Sequence, residues 1–536
     1  MIIVGIYGAY DWDATDSSGE HFLHDGGCSL FINGKHICSI NEERLSKCKY
    51  DGSYPEKSIK YCLNYAGVSE KDVDHVYSVP GHQFIALDQL ETGLAERKIK
   101  DSFPNAKVHF LGHHFCHAVS SVYSSPHNEG TFLTLDGGGS AIADFFRHKI
   151  DHIENSSIGY FNKEKKIFRF YNMWENLYNN FGSFYSAASH EIYHEMIGKE
   201  SPMDWKVVMG MPGKIMGLSA YGSTKNYIPG YRVTNHSIPY VNISNKWFDG
   251  LSPEDSAAWI QKTFEDGMLE FLRALRKNHL SETVCFAGGC FLNILCNTKI
   301  VKSGIFENVH IPPFTDDSGV SLGAAIWGCV ENDLEVVLPQ NLALLGKEYN
   351  NKEISESLDL FDLQYEKYTL SEVASLIDSG SIVGWFQGKS EHGPRALGSR
   401  SIFMNPYKAG NKDILNKRVK HREYWRPFAG IVHEDKVSEY FEETFSTPYM
   451  LYVQHSKTDL LPAITHEDAT CRIQTVNREQ NQKVYELLDH LEHPVVLNTS
   501  FNDNGEPIVE TPYQAIKAFL KMDIDYLVIG DYIVAK

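Results

Sequence analysis

Two histidines four residues apart, His113 and His117 in "LGHHFCHAVSSVYSS", are placed to share one metal ion. The run from His113 to Val119 has no Gly or Pro and can form a helix, on which this spacing puts both imidazoles on one face. Two imidazoles do not close a site, so an acidic partner is required. Asp136, after the apolar run "TFLTL", is one candidate; Asp317, before "SGVSLGAA", is another. Two histidines with carboxylates suit Fe2+, Mn2+ or Zn2+ and leave positions for substrate. Taken alone the H-x-x-x-H spacing is weak evidence, because ordinary surface or core histidines share it. His114 points elsewhere on such a helix and has no assigned part.

Glycine clusters follow. "DGGGS" (136–140), "GKIMGLSAYG" (213–222) and "FAGGCFLN" (286–293) lie between apolar segments. Each could be a tight turn; together they fit a nucleotide cleft. Gly137, Gly138 and Gly139 could hold phosphates through bare backbone N–H groups. Gly288 and Gly289 would admit an adenine ring, and Lys214 could pair with phosphate or simply lie on a solvated turn.

A third signal is charge. Between Lys389 and Arg426 ten Lys/Arg face three acidic residues, a local +7 in a chain of net charge −19. A cationic island interleaved with Gly, Pro and aromatic residues points to a bound anion. Arg395, Lys420, Arg422, Arg426 and Arg472 could neutralise ATP or an acyl phosphate, a task that suits the donor fork of arginine. Ser500 and Asn502, after the apolar run "HPVVLNTSF", could donate to phosphate or polarise a carbonyl. The competing reading of Arg422 or Arg426 is a buried ion pair with Glu423 or Glu506.

These residues need a frame. "IIVGIYG" (2–8) and "TFLTL" (131–135) read as central strands. "HDGGCSLFINGKHICSINEE" (24–43) echoes "LDGGGSAIADFFRHKIDHIEN" (135–155), each a turn and a β-hairpin, which suggests two related lobes with Gly-rich turns lining their cleft. Residues 252–277 read as an amphipathic helix with Ser252 as N-cap and Pro253 at N1. Polar residues at about 340–365 suggest a linker before an independent α/β domain, whose clearest strands are "SIVGWFQ" and "HPVVLNTSF". The expected boundaries are 1–345, a linker at 346–364, and 365–536.

Length and composition bound the rest. A chain of 536 residues exceeds one hydrophobic core. The apolar start is brief and lacks a basic flank, so it reads as a strand and not a signal peptide. No apolar run approaches the roughly 20 residues needed to span a bilayer. Ten cysteines form no C-x-x-C pair, which argues for reduced thiols and a cytoplasmic location. The net charge argues against a generally basic nucleic-acid-binding surface.

In this order, "HHFCHA", "LDGGG", "GKIMGLSAYG", "GGCFLN", "DDSGVSLGAA", "EHGPRALGSRSI", "VKHREYWRPFA" and "LNTSFNDNGEPIV" resemble the O-carbamoyltransferase family that acts on antibiotics and nodulation factors. The resemblance implies a duplicated actin/Hsp70-type ATPase-like domain, similar to the tRNA threonylcarbamoyl-transfer enzymes. It also implies a C-terminal α/β domain like the threonylcarbamoyl-adenylate synthases. In the second domain carbamoyl phosphate and ATP, with Mg2+, would give carbamoyl-adenylate and pyrophosphate on Arg395, Lys420, Arg422, Arg426, Arg472, Ser500 and Asn502. The AMP part would then be held in the first domain by the Gly loops, with Lys214 and Asn293. Fe2+, or another divalent ion, on His113, His117, Asp136 and Asp317 would polarise the carbamoyl group for attack by an acceptor hydroxyl. His24, which matches the family's His-Asp, would be the base or polarising group, and an ordinary histidine pKa suits proton transfer at neutral pH.

The acceptor is open. Lysine outnumbers arginine 36 to 14, as in AT-rich genomes of low-GC bacteria, cyanobacteria or phages. Two acceptors compete: a small metabolite, sugar or nucleoside, and hydroxymethylcytosine in DNA, as in phage-type enzymes of the family. A non-catalytic ATP-binding chaperone would not need the cationic second domain. A hydrogenase-maturation carbamoyltransferase should carry paired C-x-x-C motifs, which are absent here. No membrane partner is expected, and the oligomeric state is not set by the sequence.

Overall fold

The first apolar run forms β1 (Ile2–Gly8), and strand alternation sorts its side chains. Val4 and Ile6 pack with Ile59, Cys62 and Leu63 of the helix Glu56–Ala66. Gly5, on the opposite face, meets the helix Ser318–Glu331, where a Cβ would stand 2.2 Å from the carbonyl oxygen of Ser321. The helix therefore rests on bare backbone. The computed structural model describes residues 1–9, 24–80, 89–137, 141–144, 149–175, 180–197, 205–225, 227, 231–234, 237–241, 248, 250–278 and 281–536. They fall into two α/β units, Met1–Ser46 with Tyr50–Leu338, and Lys47–Lys49 with Pro339–Lys536.

The first unit repeats one topology. In the first sheet β1, β2 (Gly27–Ile32) and β3 (Lys35–Asn41) form an antiparallel meander, and β4 (His75–Pro80) and β5 (Lys107–Phe110) extend it in parallel, in the order β3-β2-β1-β4-β5. The second half supplies β6 (Glu129–Leu135), β7 (Ala141–Asp144), β8 (Lys149–Asn162) and β9 (Ile167–Glu175). A separate hairpin, β10 (Tyr231–Thr234) and β11 (Ser237–Val241), precedes β12 (Thr283–Ala287) and β13 (Asn308–His310). Here β6, β8 and β9 make the meander and β12 and β13 run parallel to β6, in the order β9-β8-β6-β12-β13. This is the duplicated ATPase-type α/β arrangement. The repeat lies in other segments than the sequence echo suggests. Asp25-Gly26-Gly27 leads into the second strand of its half, whereas Asp136 directly follows the first. The counterpart of the β2–β3 hairpin is β8–β9, and β7 is an added strand on β8.

Each half ends in a helix that crosses to the other half. The helix His113–Ser124, hereafter the histidine helix, follows β5 but packs on β6 and β12. Ser318–Glu331, the aspartate helix, follows β13 but packs on β1, β2 and β4. The two touch at backbone distance, since a Cβ on Gly323 would lie 1.9 Å from the carbonyl oxygen of Cys116. The helix expected at 252–277 spans Pro253–Asn278, and the Ser252 hydroxyl accepts the N–H of Asp255 at 3.1 Å.

The second unit is a nine-stranded mixed sheet with an apolar core on each face, one around Phe386, Ile402 and Leu497 and the other around Trp385, Phe403 and Val496. Both strands read from the sequence belong to it, as Val383–Phe386 and Val495–Ser500. Residues 346–364 are not a linker. They carry the helix Asn351–Leu360, whose Ile354 and Leu358 enter that core, and the unit begins at Pro339 and not after 364. Two of the polar residues that suggested a linker, Asn350 and Glu353, form the capping box of that helix. All ten cysteines are free. No helix among the described residues is long and apolar enough to cross a membrane.

Candidate active site: a two-histidine, two-aspartate cluster and a cationic cluster

The exchange of helices builds the first cluster. His113 opens the histidine helix and His117 lies one turn on, both buried. Asp317 stands at the start of the aspartate helix, and Asp136 follows the last residue of β6. An aspartate at a helix start ordinarily accepts N–H groups of its own first turn. Asp317 does not cap its helix. Its Oδ1 lies 3.4 Å from His113 Nε2 and 3.2 Å from His117 Nε2, and its Oδ2 accepts the Tyr7 hydroxyl at 2.7 Å. Asp136 Oδ2 lies 3.2 Å from His117 Nε2 and 3.8 Å from His113 Nε2, while Oδ1 accepts the N–H of Gly137 at 2.6 Å. One ligand atom from each of the four residues falls within 4.8 Å of all the others.

The electrostatics are those of a cation site. Burial would raise the Asp317 carboxyl, but His113 and His24 hold it well below the usual carboxylate range. Burial works against a charged His113, yet Asp317 and Asp136 lift it to about 10. His117 also titrates above its ordinary value despite burial, through Asp136 and Asp317. Asp136 Oδ2 is buried and makes no well-aligned hydrogen bond, although His117 Nε2 stands 3.2 Å away, and a divalent ion would satisfy it as an acceptor. Two imidazole nitrogens and two carboxylate oxygens are the donor set of Fe2+, Mn2+ or Zn2+, and the residues present fit such an ion.

His24 borders the cluster, with Nδ1 2.8 Å from Asp25 Oδ2 and 3.8 Å from Asp317 Oδ2. Its environment differs from the near-neutral titration expected. Burial opposes its charge, but Asp317 and Asp25 outweigh burial and raise it to about 10. In the ion-free site the ring is a cation that polarises and does not accept a proton. A divalent ion on the aspartates would offset the charge that raises it.

Other predicted residues have structural partners. The bare face of Gly288, at φ +98°, is turned to Leu135, where a Cβ would stand 2.1 Å from the carbonyl oxygen, so strand packing by itself requires a glycine there. A Cβ on Gly289 would lie 3.2 Å from Asp136 Oδ1. The Asn293 carboxamide caps the helix Ile294–Lys302 at the N–H of Cys296 and exchanges two hydrogen bonds of 3.0 Å with Gln261, so it is taken up without a nucleotide. Lys214 Nζ donates to the Tyr193 hydroxyl at 3.2 Å. Gly137 receives Ser183 Oγ on its carbonyl at 3.0 Å, and Gly138 and Gly139 lie outside the described residues. His114 is buried, its Nδ1 3.0 Å from Ser157 Oγ, and is not in the cluster.

The second cluster lies in the second unit. Lys420 ends a π-helical turn, Asn416–Lys420, and is buried. Its Nζ donates to the carbonyl oxygens of Ser500 and Asn502 at 3.0 and 2.8 Å and to Asn502 Oδ1 at 2.8 Å. Ser500 Oγ donates to Asn502 Oδ1 at 2.5 Å, and Asn502 Nδ2 donates to the Glu506 carbonyl at 2.6 Å. Ser500 and Asn502 therefore hold Lys420, a different task from the direct phosphate contact expected. Burial, with Arg422 and Arg426 adding repulsion, pushes Lys420 well below the usual lysine range. Burial with Arg426 and Arg472 does the same to Arg422, and burial with Arg395 and Arg426 to Arg472. The Nε atoms of Arg422 and Arg472 are buried without hydrogen-bond partners. Arg426 pairs with Glu423 at 3.6 Å, and Arg422 stacks on Phe428 at 4.2 Å and donates to the Pro427 carbonyl, with no pairing to Glu506. Neighbouring cations that repel one another in this way are stabilised by an anion.

Not all of the cationic island takes part. Arg400 is wholly buried, stacked on Phe386 at 3.7 Å and bonded to the Gln387 carbonyl, and Arg418 is bound by Asp523 and Asp525. Glu391 shapes the loop carrying Arg395, its Oε1 accepting the N–H groups of Leu397 and Ser399 at 2.8 Å and Arg400 at 3.1 Å. Sequence reasoning missed Glu391, Tyr7, Asp25 and Asp316. Asp316, pushed up to about 7 by burial and by Asp25, accepts the Ser318 hydroxyl. Tyr7 reads in sequence as one more apolar position of β1. The adjacency of Asp25 to His24 was the one usable signal.

Comparison with known proteins follows the same division. The family description "Carbamoyltransferase N-terminus" matches residues 19–84 and 79–326, and "Carbamoyltransferase C-terminus" matches 374–536. An uncharacterised protein of Synechocystis is 30% identical over 96% of this chain and 95% of its own. The nodulation protein NolNO of Sinorhizobium fredii is 31% identical over 96% of this chain and 79% of its own. Among solved structures, full-length HypF in its phosphate- and nucleotide-bound form aligns with 63% of this chain and 56% of its own, at 12% identity and a TM-score of 0.40. Component A of the Acidaminococcus fermentans (R)-2-hydroxyglutaryl-CoA dehydratase aligns with 61% of this chain and 97% of its own, at 14% identity and a TM-score of 0.35. With both of the family's parts matched in order, the chain belongs to the carbamoyltransferase family, and its chemistry is carbamoyl transfer.

Proposed function

We propose that the chain is an ATP-dependent O-carbamoyltransferase that works in two steps at two sites. In the second unit carbamoyl phosphate, ATP and a water would give carbamoyl-adenylate, pyrophosphate and phosphate. In the first unit an acceptor hydroxyl would attack the carbamoyl carbon, and AMP would leave.

The observation that carries this reading is the cationic cluster of Arg395, Lys420, Arg422, Arg426 and Arg472, in which burial and the neighbouring cations together hold Lys420, Arg422 and Arg472 below their ordinary pKa values. Such a cluster suits the charge of an acyl phosphate, a nucleoside triphosphate and the pyrophosphate leaving group, with Mg2+ accompanying ATP. Ser500 and Asn502 fix Lys420, so its ammonium does not need to reorganise when the anions arrive. In the first unit His113, His117, Asp136 and Asp317 would hold Fe2+ or a similar ion, which supplies Lewis-acid polarisation of the carbamoyl oxygen. His24, oriented by Asp25, is placed to take the proton of the acceptor hydroxyl once the carboxylate charge around it is offset. The strongly negative net charge favours a free metabolite, sugar or nucleoside over duplex DNA as acceptor.

The test is pyrophosphate release that requires both ATP and carbamoyl phosphate under reducing, iron-supplied conditions. Absence of release from folded protein would overturn the proposal. His117→Ala should abolish transfer and spare adenylate formation; loss of both would sink the assignment to two sites. A screen of hydroxyl acceptors by mass shift would then identify the substrate.

A further inference from the structure

Asp317 and Asp136 share one arrangement. Each turns one oxygen to the histidine pair and has the other engaged by a hydrogen-bond donor. For Asp136 the donor is the backbone N–H of Gly137, at 2.6 Å from Oδ1. For Asp317 it is the phenol of Tyr7, at 2.7 Å from Oδ2. Tyr7 is the next-to-last residue of β1, and Asp136 directly follows β6, the matching strand of the other half. The halves thus deliver a donor and a ligand from corresponding strand ends.

The position of Tyr7 follows from the packing of β1. Gly5 and Tyr7 share the face turned to the aspartate helix. At Gly5 that helix sits on the strand backbone, with Ser321 and Ala325 in the space a side chain would fill. One turn earlier on the helix is Asp317, and two residues further on the strand is Tyr7. The close approach at the glycine brings the start of the helix to Tyr7, whose phenol reaches the carboxylate at 2.7 Å. The Tyr7 ring is wholly buried and lies against the His113 ring, centroids 5.5 Å apart, which restricts its rotation. A buried tyrosyl hydroxyl needs an acceptor. This one takes a carboxylate oxygen of the cluster.

We propose that Tyr7 is a positioning residue that limits Asp317 to single-oxygen ligation and so keeps a coordination position open for substrate. The proposal rests on the reading of the cluster as a metal site. With each aspartate giving one oxygen, the protein supplies four donor atoms. A second Asp317 oxygen would occupy a position that a five- or six-coordinate ion otherwise leaves to substrate. Outer partners that orient ligands in this way commonly contribute 10–100-fold in metal affinity or activity.

The experiment compares wild-type protein and Tyr7→Phe after chelation and reloading with Co2+. Affinity is read by competition with a coloured chelator, and coordination by the visible d–d absorption. Phe keeps the ring and removes only the donor. The expected result is about 10-fold or greater loss of Co2+ affinity, with a weaker d–d band as the freed Asp317 oxygen joins the ion. Equal affinity and an unchanged band would overturn the role of Tyr7. Thermal melting of the chelated proteins checks that both are folded. Should Tyr7→Phe not fold, infrared difference spectra of wild-type protein on Co2+ addition decide instead. Wide carboxylate stretch splitting, the mark of one-oxygen ligation, supports the proposal, and narrow splitting from a chelating carboxylate overturns it. Folded wild-type protein that takes up no Co2+ overturns the metal reading and this proposal together, whereas uptake with no difference between the variants removes Tyr7 alone.

Discussion

Asp317 opens a helix without capping it, and both of its oxygens go to side chains from distant parts of the chain. Asp317→Asn keeps the shape and removes the charge. Metal affinity should fall by more than the 10–100-fold that loss of an outer partner costs, while pyrophosphate release continues; chelator competition beside a pyrophosphate assay reads both. The ion-free cluster also gives a pH signature. His113 and His24 are lifted from 6.5 to about 10 in the folded state. Raised histidines favour folding below their unfolded pKa, and the advantage fades as pH climbs to the folded value. Chelated protein should therefore lose stability between about pH 6.5 and 10. Metal-loaded protein, whose imidazoles are already neutral ligands, should lose less. Denaturant midpoints across that range measure the slope, and equal slopes with and without metal would contradict the cluster's charge assignment. In the other unit, Asn502→Ala removes an acceptor of the buried Lys420. A hydrogen bond to a charged group is worth about 1.5–3 kcal/mol. A drop of that size in urea stability, with slower adenylate formation, is expected; unchanged values for both would show that Lys420 does not depend on Asn502.

At the scale of elements, two glycines set the site. Gly323 brings the aspartate helix to the backbone of the histidine helix, and Gly5 seats it on β1. Gly323→Val forces the helices apart where a Cβ has 1.9 Å to the Cys116 carbonyl oxygen. Overpacking typically costs about 1–3 kcal/mol, and here it also separates Asp317 from the histidines. Stability and metal affinity should fall together; a stability loss with unchanged affinity would mean that the crossing does not set the cluster. The sequence carried the local parts of this. Apolar runs marked β1 and β6, and i,i+4 spacing put His113 and His117 on one helix face. It did not show that each half's last helix crosses to the other sheet, because the crossing depends on glycine contacts some 200 positions apart, as between Gly323 and Cys116. Tyr7 was hidden for the same reason, its polar end having no partner nearby in the chain. Ser500, Asn502 and Asn293 looked like ligand contacts because the occupied partners of a hydroxyl or a carboxamide are invisible before folding. The supposed linker misled because the residues it sends to the core, Ile354 and Leu358 with Tyr349, Phe361 and Leu363 packed against it, are scattered among charged residues.

At the scale of the molecule, the two units have separate cores and separate candidate ligands. Val4, Ile6 and Phe103 belong to a core of the first unit, and Trp385, Phe403 and Val496 to one of the second. Domains with their own cores can unfold as separate cooperative steps. Scanning calorimetry should then resolve two transitions. A ligand that binds only the folded form stabilises it by about 2.7 kcal/mol at a free concentration of roughly 100 times Kd. Co2+ should raise the transition of the unit bearing His113, His117, Asp136 and Asp317. Pyrophosphate should raise that of the unit bearing Arg395, Lys420, Arg422, Arg426 and Arg472. Two variants assign the peaks: His117→Ala should cancel the Co2+ shift alone, and Arg472→Ala the pyrophosphate shift alone. If either ligand moved both transitions equally, or if Arg472→Ala cancelled the response to Co2+, the division of labour between metal cluster and cationic cluster would be wrong, because a ligand held by one cooperative unit adds its binding free energy to that unit.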